Sequence, residues 1–278
     1  MKLQLQYILS FREPREREKH LFTIPNSLNG VYRLLLNRME DSRDAKFAPR
    51  ILSWIYYAAR PLSMEELREA LAIEKDEPKL IRNYKPKARD ISECCRGLVV
   101  WDKPSDRVTF THATVKKFLE DEKASIIEEQ KRLGERAEKK TELLSTPASV
   151  SIICLTYLCF DEFETYPNAK EFVKGKLKEF NLYSYASQFW GAHIRGEAEE
   201  STDVQNTLLR LLKSEAKTNL ALQIEAYLNS RFHNISFIKG QTLLHILAEK
   251  GLGVICKLVL YGDAKIDGRY LTDSQIAS

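Results

Sequence analysis

The chain has 278 residues, of which 29% are charged and 44% are hydrophobic, an ordinary balance for a globular protein. This length allows two or three small units, each with a modest core, and makes one large domain the less favoured outcome. The 43 Lys and Arg residues are nearly balanced by 39 Asp and Glu residues. The net charge of +4 is therefore not by itself the signature of a nucleic-acid-binding protein.

The cysteines indicate a reducing compartment rather than a disulfide framework. They are odd in number, contain no C-x-x-C pair and have no histidine at zinc-ligand spacing. We therefore expect buried free thiols in an intracellular, cytoplasmic protein, at Cys94, Cys95, Cys154, Cys159 and Cys256. Neighbouring side chains on a helix point about 100° apart, so we do not expect Cys94 and Cys95 to share a metal ion.

No segment of the sequence predicts a membrane anchor or a secretion signal. The most apolar run, Val150–Phe160, is far shorter than the roughly 20 residues that cross a bilayer. The N-terminal stretch becomes charged within a dozen residues and has no small-residue cleavage site, so we expect no signal peptide.

Residues 1–47 form a charged lead-in with one predicted amphipathic helix. Apolar residues recur at intervals of three and four from Leu28 to Met39. Pro25 and Ser27 precede them, and a proline followed by a polar capping residue favours a helix start. Because a segment this short cannot bury its apolar face alone, we expect it to pack on the adjoining domain or on a partner.

Residues 48–119 have the pattern of a winged-helix domain, namely three short helices, a two-stranded hairpin and a closing helix. The first helix, Pro49–Ala59, is apolar on nearly all sides and is predicted to be buried. Ser63 and Glu66 form a capping box that begins the second helix after Arg60-Pro61-Leu62.

A third helix and the hairpin complete this pattern. Arg89–Arg96 is predicted to be helical and to end at Gly97 in the C-terminal cap position. The candidate wing then consists of strands at Leu98–Trp101 and Arg107–Thr111, joined by a turn. His112 comes directly after the second strand, and the closing helix presents an apolar face through Val115, Phe118 and Leu119.

The sequence after residue 119 predicts further helices. Residues 120–146 carry charges of both signs and are expected to form a solvated linker helix or a flexible connector. Residues 147–235 are expected to form a helical domain with a loop around Tyr166-Pro167. Its predicted helices are Val150–Leu158, Leu182–Ile194, Val204–Leu212 and Leu220–Leu228. The aromatic residues Tyr183, Tyr185, Phe189 and Trp190 favour core packing over a ligand site.

Residues 236–278 resemble one ankyrin-type repeat that is cut short. Two helices, Leu243–Glu249 and Val254–Leu260, are predicted on either side of glycines, which is the spacing of a repeat of about 33 residues. Thr242, Leu244, His245 and Ala248 match the T-P-L-H-x-A signature, in which Leu243 replaces the proline. A single repeat cannot bury both faces, so it must lean on the helices before it or belong to a longer array.

No catalytic motif stands out from the charged background. Gly175-Lys176 is followed by Leu177 and lacks the earlier glycine of a G-x-x-x-x-G-K-S/T phosphate loop. The sequence also contains no G-x-S-x-G elbow and no H-E-x-x-H helix. We therefore predict that the chain is not an enzyme and holds no metal or cofactor of its own.

DNA binding is the alternative that a winged helix always raises. The third helix, Arg89–Arg96, carries charges of both signs, which argues against insertion into the major groove. The loop before it concentrates basic residues that could meet phosphates, namely Lys79, Arg82, Lys85 and Lys87. A solvated basic loop remains the favoured interpretation, so a nucleic-acid partner is not expected.

These residues carry a resemblance to a known family. Ile51-Leu52-Ser53-Trp54, the capping-box helix, Cys95-Arg96-Gly97-Leu98 and His112–Leu119 look like the winged helix that comes after the NACHT module in fungal NACHT-ankyrin proteins of the STAND class. The same domain is known as the winged helix of GPI inositol-deacylase-like sequences. Further stretches similar to this family are Ile24–Leu35, Ile153–Asp161 and Leu182–His193.

The resemblance implies a nucleotide-controlled switch in which NACHT binds ATP or ADP, the winged helix locks the resting state and ankyrin repeats sense a partner. By position, His112 is the residue implied to contact nucleotide phosphates, although Ala113 stands where some relatives carry an acid. The competing interpretation is that His112 ends the strand and caps the helix. ATP or ADP is implied only for a NACHT module outside this chain, acting in cis or in trans.

The sequence therefore predicts a mainly α protein: a winged helix with a small hairpin wing, a helical bundle and an ankyrin-type helix pair. We expect a non-enzymatic regulatory and protein-interaction segment that binds a protein partner through its ankyrin-type region. The residues predicted to make that interaction are His245, Lys250 and Tyr261. A winged-helix DNA-binding regulator is the alternative.

Overall fold

The computed structural model describes residues 4–5, 8, 13–22, 24–25, 27–40, 47–133, 144–164, 170–229, 243–260, 265–266 and 269–270. These parts of the chain are mostly helical, with a small antiparallel hairpin. The predicted mainly α class, with a hairpin wing followed by a helical bundle, is confirmed.

The predicted helices and strands lie close to their predicted positions. The first half of the chain contains α1 (Pro14–Leu21), α2 (Leu28–Glu40), α3 (Ala48–Tyr57), α4 (Met64–Ala72), α5 (Ala88–Cys94), β1 (Val99–Asp102), β2 (Arg107–Phe110) and α6 (Ala113–Leu133). The second half contains α7 (Pro147–Leu158), α8 (Lys170–Glu179), α9 (Tyr183–Ile194), α10 (Thr202–Lys213), α11 (Glu215–Asn229), α12 (Leu243–Glu249), α13 (Gly253–Leu260), β3 (Lys265–Ile266) and β4 (Arg269–Tyr270). Of these, α1, α8, β3 and β4 were not predicted.

The chain divides into two compact units. The first unit comprises residues 1–67 and 86–145, and the second comprises residues 68–85 and 146–278. The boundary falls inside α4, so this helix contributes its first turn to one unit and the rest to the other. The predicted domain boundaries, with a winged helix at 48–119, remain predictions.

In the first unit, the lead-in helix α2 packs on α6, as its apolar face requires. Tyr32 has no exposed surface, and its ring lies 5.3 Å from that of Phe118. Its hydroxyl is 2.8 Å from the hydroxyl of Thr114. Ser27 begins the helix by accepting a hydrogen bond from the backbone N–H of Gly30 at 3.1 Å.

The predicted capping box at α4 is confirmed in both directions. The Ser63 hydroxyl accepts a hydrogen bond from the Glu66 backbone N–H at 3.1 Å, and the Glu66 carboxylate accepts one from the Ser63 N–H at 2.8 Å. Arg60 donates a hydrogen bond to the same carboxylate from each of its two terminal nitrogens, at 2.6 and 2.8 Å. This local network fixes the turn between α3 and α4.

The wing forms where the sequence predicts it. β1 and β2 pair antiparallel with Val99 opposite Phe110 and Asp102 opposite Arg107. Gly97, at φ 87°, makes the left-handed turn between α5 and β1, a conformation that favours glycine. Leu62 bridges the other edge of β2 by accepting a hydrogen bond from the Val108 N–H at 2.9 Å.

The closing helix is longer than its apolar face alone suggests. α6 begins at Ala113 and continues into the charged stretch as far as Leu133. Residues 120–133 are therefore helical, while their role as a linker remains a prediction. Residues 134–143 lie outside the described residues.

In the second unit, α7 and α9 pack against each other around an aromatic cluster. Tyr157, Phe160, Phe163, Phe180 and Tyr183 are all almost fully buried, with ring centroids 4.2–6.3 Å apart. Tyr183, Tyr185 and Trp190 are buried as predicted, whereas Phe189 is half-buried. Helix α8, which supplies the buried Val173, was not predicted because its sequence is mostly lysine and glutamate.

A buried carboxylate ties four segments of the second unit together. Glu69 on α4 has no exposed surface. It accepts hydrogen bonds from the Tyr157 hydroxyl at 2.5 Å, the Asn181 amide at 2.8 Å and the Leu182 backbone N–H at 3.0 Å. The Lys85 ammonium completes the set at 3.3 Å. Burial, followed by the charge of Glu69, raises the pKa of Tyr157, so the phenol stays protonated and donates.

Removing this carboxylate should destabilise the second unit severely. We expect Glu69→Ala to lower the free energy of unfolding by about 3–5 kcal/mol, because it removes the shared acceptor of the buried Tyr157 hydroxyl and Leu182 N–H and of the half-buried Asn181 and Lys85. Urea unfolding followed by circular dichroism measures the loss. Glu197→Ala is the matched control, since this exposed carboxylate should change stability by less than about 0.5 kcal/mol. Equal stability of the two variants would contradict the role assigned to Glu69.

A buried histidine makes the second unit sensitive to acid. His193 on α9 is 9% exposed, and its Nε2 lies 2.8 Å from the Tyr185 hydroxyl. Its backbone carbonyl accepts a hydrogen bond from Ser151 at 2.7 Å. Burial lowers the pKa of His193 to about 4.

Stability of the second unit should therefore fall as the pH falls from about 6.5 to about 4. In that window the unfolded chain binds a proton at residue 193 and the folded chain does not, which favours unfolding by up to about 3 kcal/mol. Urea unfolding at pH 7 and pH 4.5 should show a smaller pH-dependent loss for His193→Gln than for the original chain. A His193→Gln variant with the full pH dependence would refute this assignment.

Candidate functional site

The residue implied to sense nucleotide lies on the surface of the wing–helix junction. His112 is exposed, and its backbone carbonyl accepts a hydrogen bond from the Val115 N–H at 3.0 Å, in the first turn of α6. The preceding Thr111 is anchored through its hydroxyl to the Gly97 carbonyl at 2.6 Å. Among the described residues, no side chain hydrogen-bonds or ion-pairs with the imidazole. Its position suits both interpretations, because the backbone caps the helix while the imidazole points to solvent.

The four basic residues of the loop do not form one open cationic surface. Lys79 and Lys87 are exposed. Arg82 pairs with Glu179 at 3.2 Å and lies over the Phe180 ring at 5.8 Å. Lys85, whose side chain is only 13% exposed, turns inward to the buried Glu69. Sequence reasoning missed this role for Lys85 because its partner lies 16 residues away and carries no local signal.

Among the described residues, polar contacts hold the helix pair α12–α13 to the rest of the second unit. The buried Glu199 carboxylate accepts hydrogen bonds from the Val254 and Ile255 N–H groups at 2.6 and 3.1 Å, capping the start of α13. Arg195 donates to the Lys250 carbonyl at 2.8 Å. The Lys250 ammonium lies 2.5 Å from the Glu225 carboxylate. Burial raises the pKa of Glu225 even though this ammonium opposes the change.

The residues predicted to bind a partner differ in their exposure to solvent. His245 is exposed on α12. Lys250 is only 8% exposed; its stem packs on Gly191, where an added Cβ would meet the lysine Cδ at 2.9 Å, and its ammonium lies over the Trp190 ring. Lys250 therefore stabilises the interior of this unit rather than lying open on its surface. Tyr261 lies outside the described residues.

The described residues contain no cluster of three or more His, Cys, Asp or Glu side chains arranged to hold a metal ion. All five cysteines are free thiols, of which four are buried and Cys256 is half-buried, in agreement with the predicted free thiols. Within the described ranges, no helix has the length and apolar character needed to cross a bilayer.

Comparison with known proteins supports the winged helix. The family described as "GPI inositol-deacylase, winged helix domain" matches residues 36–128, which run from the end of α2 into α6. This match covers the winged-helix domain and not a catalytic domain. It agrees with the observed order of helices, hairpin and closing helix.

A full-chain comparison finds a distant fungal relative. The chain is 26% identical over 212 residues to "Azaphilone pigments biosynthesis cluster protein L" of Monascus ruber. The aligned part covers 73% of this chain and 42% of that protein, so the chain spans less than half of the relative's length. No solved structure matches the chain.

The placement of the basic loop predicts weak or absent DNA binding. In a gel-shift series with duplex DNA, we expect no complex at low salt, because Lys85 and Arg82 are already paired with carboxylates. A shift that weakens steeply with added salt and is reduced by Lys79→Ala with Lys87→Ala would instead establish phosphate contacts by the loop. The exposed Lys257→Ala serves as the matched control, since Lys257 lies on α13.

Proposed function

We propose that this chain is a non-enzymatic regulatory and protein-interaction segment of a STAND-type signalling protein. Its winged helix couples a nucleotide-binding NACHT module to a sensor that begins at the ankyrin-type helix pair. The protein acts in the cytoplasm. The match of residues 36–128 to a winged-helix family carries the proposal, together with the mainly helical arrangement around it.

In this proposal the exposed His112 faces the nucleotide-binding module. Its imidazole is open to solvent at the junction of β2 and α6, where a phosphate group could approach it. Residues on both sides of this junction are held by hydrogen bonds, Thr111 to the Gly97 carbonyl and Thr114 to the Tyr32 hydroxyl. A contact at His112 would therefore act on the wing and on the start of α6 together.

The ankyrin-type pair supplies the proposed protein-interaction surface. Ile246, Leu247 and Val259 of this helix pair are buried. Val254 is 38% exposed and Leu260 57% exposed on α13. In this proposal a protein partner contacts the exposed apolar side chains of α13 and the exposed His245 of α12.

Nucleotide binding should require more than this chain. We expect isothermal titration calorimetry of the purified chain with ATP or ADP to show no binding at micromolar affinity, because the sequence has no phosphate loop. Binding at micromolar affinity that is lost in His112→Ala would overturn the claim that the nucleotide site is incomplete. His245→Ala is the control for removal of an exposed imidazole elsewhere.

A further inference from the structure

Two adjacent cysteine sulfurs are in contact inside the winged helix. The Sγ atoms of Cys94 and Cys95 are 3.8 Å apart, and the two residues are 3% and 0% exposed. The two sulfurs meet where the helix ends. Cys94 is the last residue of α5, and Cys95 leaves the helix at φ −81° and ψ 9°.

We propose that Cys94 and Cys95 form a redox-active dithiol that low-molecular-weight disulfides such as oxidised glutathione convert to a disulfide between neighbouring residues. With only these two thiols and no third ligand beside them among the described residues, the pair suits disulfide formation better than a closed zinc site, which needs four ligands.

The proposed reaction is thiol–disulfide exchange in two steps. The thiolate of Cys94 or Cys95 attacks one sulfur of oxidised glutathione, forms a mixed disulfide and releases one glutathione thiolate, which takes up a proton. The neighbouring thiolate then attacks the protein sulfur of the mixed disulfide and expels the second glutathione. The two protein thiols lose two electrons and two protons, and one glutathione disulfide becomes two glutathione thiols.

Access to the thiols requires only a local opening. α5 has seven residues, and the chain after it passes through two left-handed residues, Arg96 at φ 48° and Gly97 at φ 87°. A single short turn at a helix end opens at a lower free energy than the core of a domain does. The second step is then favoured because the attacking sulfur is already beside its target.

Oxidation would reshape the wing as well as the helix end. The sulfurs must close from 3.8 Å to about 2.05 Å, so the backbone at Cys95 has to move. The Cys95 carbonyl accepts a hydrogen bond from the Leu98 N–H at 2.9 Å, and the Leu98 carbonyl accepts one from the Thr111 N–H at 2.9 Å. Movement at Cys95 therefore reaches the end of β2 beside His112.

The test uses the full chain and oxidised glutathione. After incubation, the sample is quenched in acid, denatured, alkylated with N-ethylmaleimide and analysed by mass spectrometry. We expect the peptide containing Cys94 and Cys95 to lose two hydrogens, to carry neither N-ethylmaleimide nor glutathione, and to recover both alkylation sites after dithiothreitol. Hydrogen exchange of residues 98–111 should become faster in the oxidised chain.

Matched variants separate this pair from the other thiols. Cys256→Ser should oxidise as the original chain does, since Cys256 lies in the second unit. Cys95→Ser should stop at a glutathione adduct. Two alkylated thiols after oxidation, or a stable adduct on the original chain, would overturn the proposal. A disulfide without faster exchange in residues 98–111 would overturn its coupling to the wing. None of these outcomes depends on nucleotide or partner binding, so the function proposed above is tested separately.

Discussion

The second unit depends on a carboxylate that is completely removed from water. Glu69 would be strongly destabilising if it were buried alone, yet it is stabilised by an ammonium, a phenol, an amide and a backbone N–H. These groups come from positions 85, 157, 181 and 182, so one side chain fixes the loop after α4, helix α7 and the start of α9. Because Lys85 pairs with Glu69, its ammonium does not add to the exposed positive charge of the basic loop. A stabilising role and a role in phosphate binding therefore compete for one ammonium.

The turns of the first unit are set by local hydrogen-bond motifs. The Ser63–Glu66 capping box sets the start of α4, and the left-handed Gly97 directs the chain from α5 into the wing. The wing ends at Thr111, which is anchored to Gly97, so its two ends are fixed to each other. The Cys94–Cys95 pair comes just before the wing, and His112 comes just after it. A change of ligand at one end or of oxidation state at the other would act on the same hairpin.

In the helix pair α12–α13 of the second unit, the buried charged residues and the exposed ones have different roles. Glu199 caps α13, and Lys250 is held between Gly191, Trp190 and Glu225. Both residues carry charge, yet both serve internal packing. His245, Val254 and Leu260 in the same helix pair are exposed instead.

The sequence alone determined the local features, because each is encoded within a few neighbouring residues. The capping box, the glycine turn before the wing, the hairpin and the periodic helices result from short-range sterics and hydrogen bonding, and they were predicted nearly to the residue. Helix α8 was missed because most of its residues are lysine or glutamate. Only the tertiary structure decided the partners of Glu69, the burial of Lys250 and the contact between Cys94 and Cys95. The first two join residues 16 to 113 positions apart, and the third depends on where a helix ends. The spacing of residues along the sequence cannot predict these contacts, because they depend on tertiary packing and on the backbone geometry at a single residue.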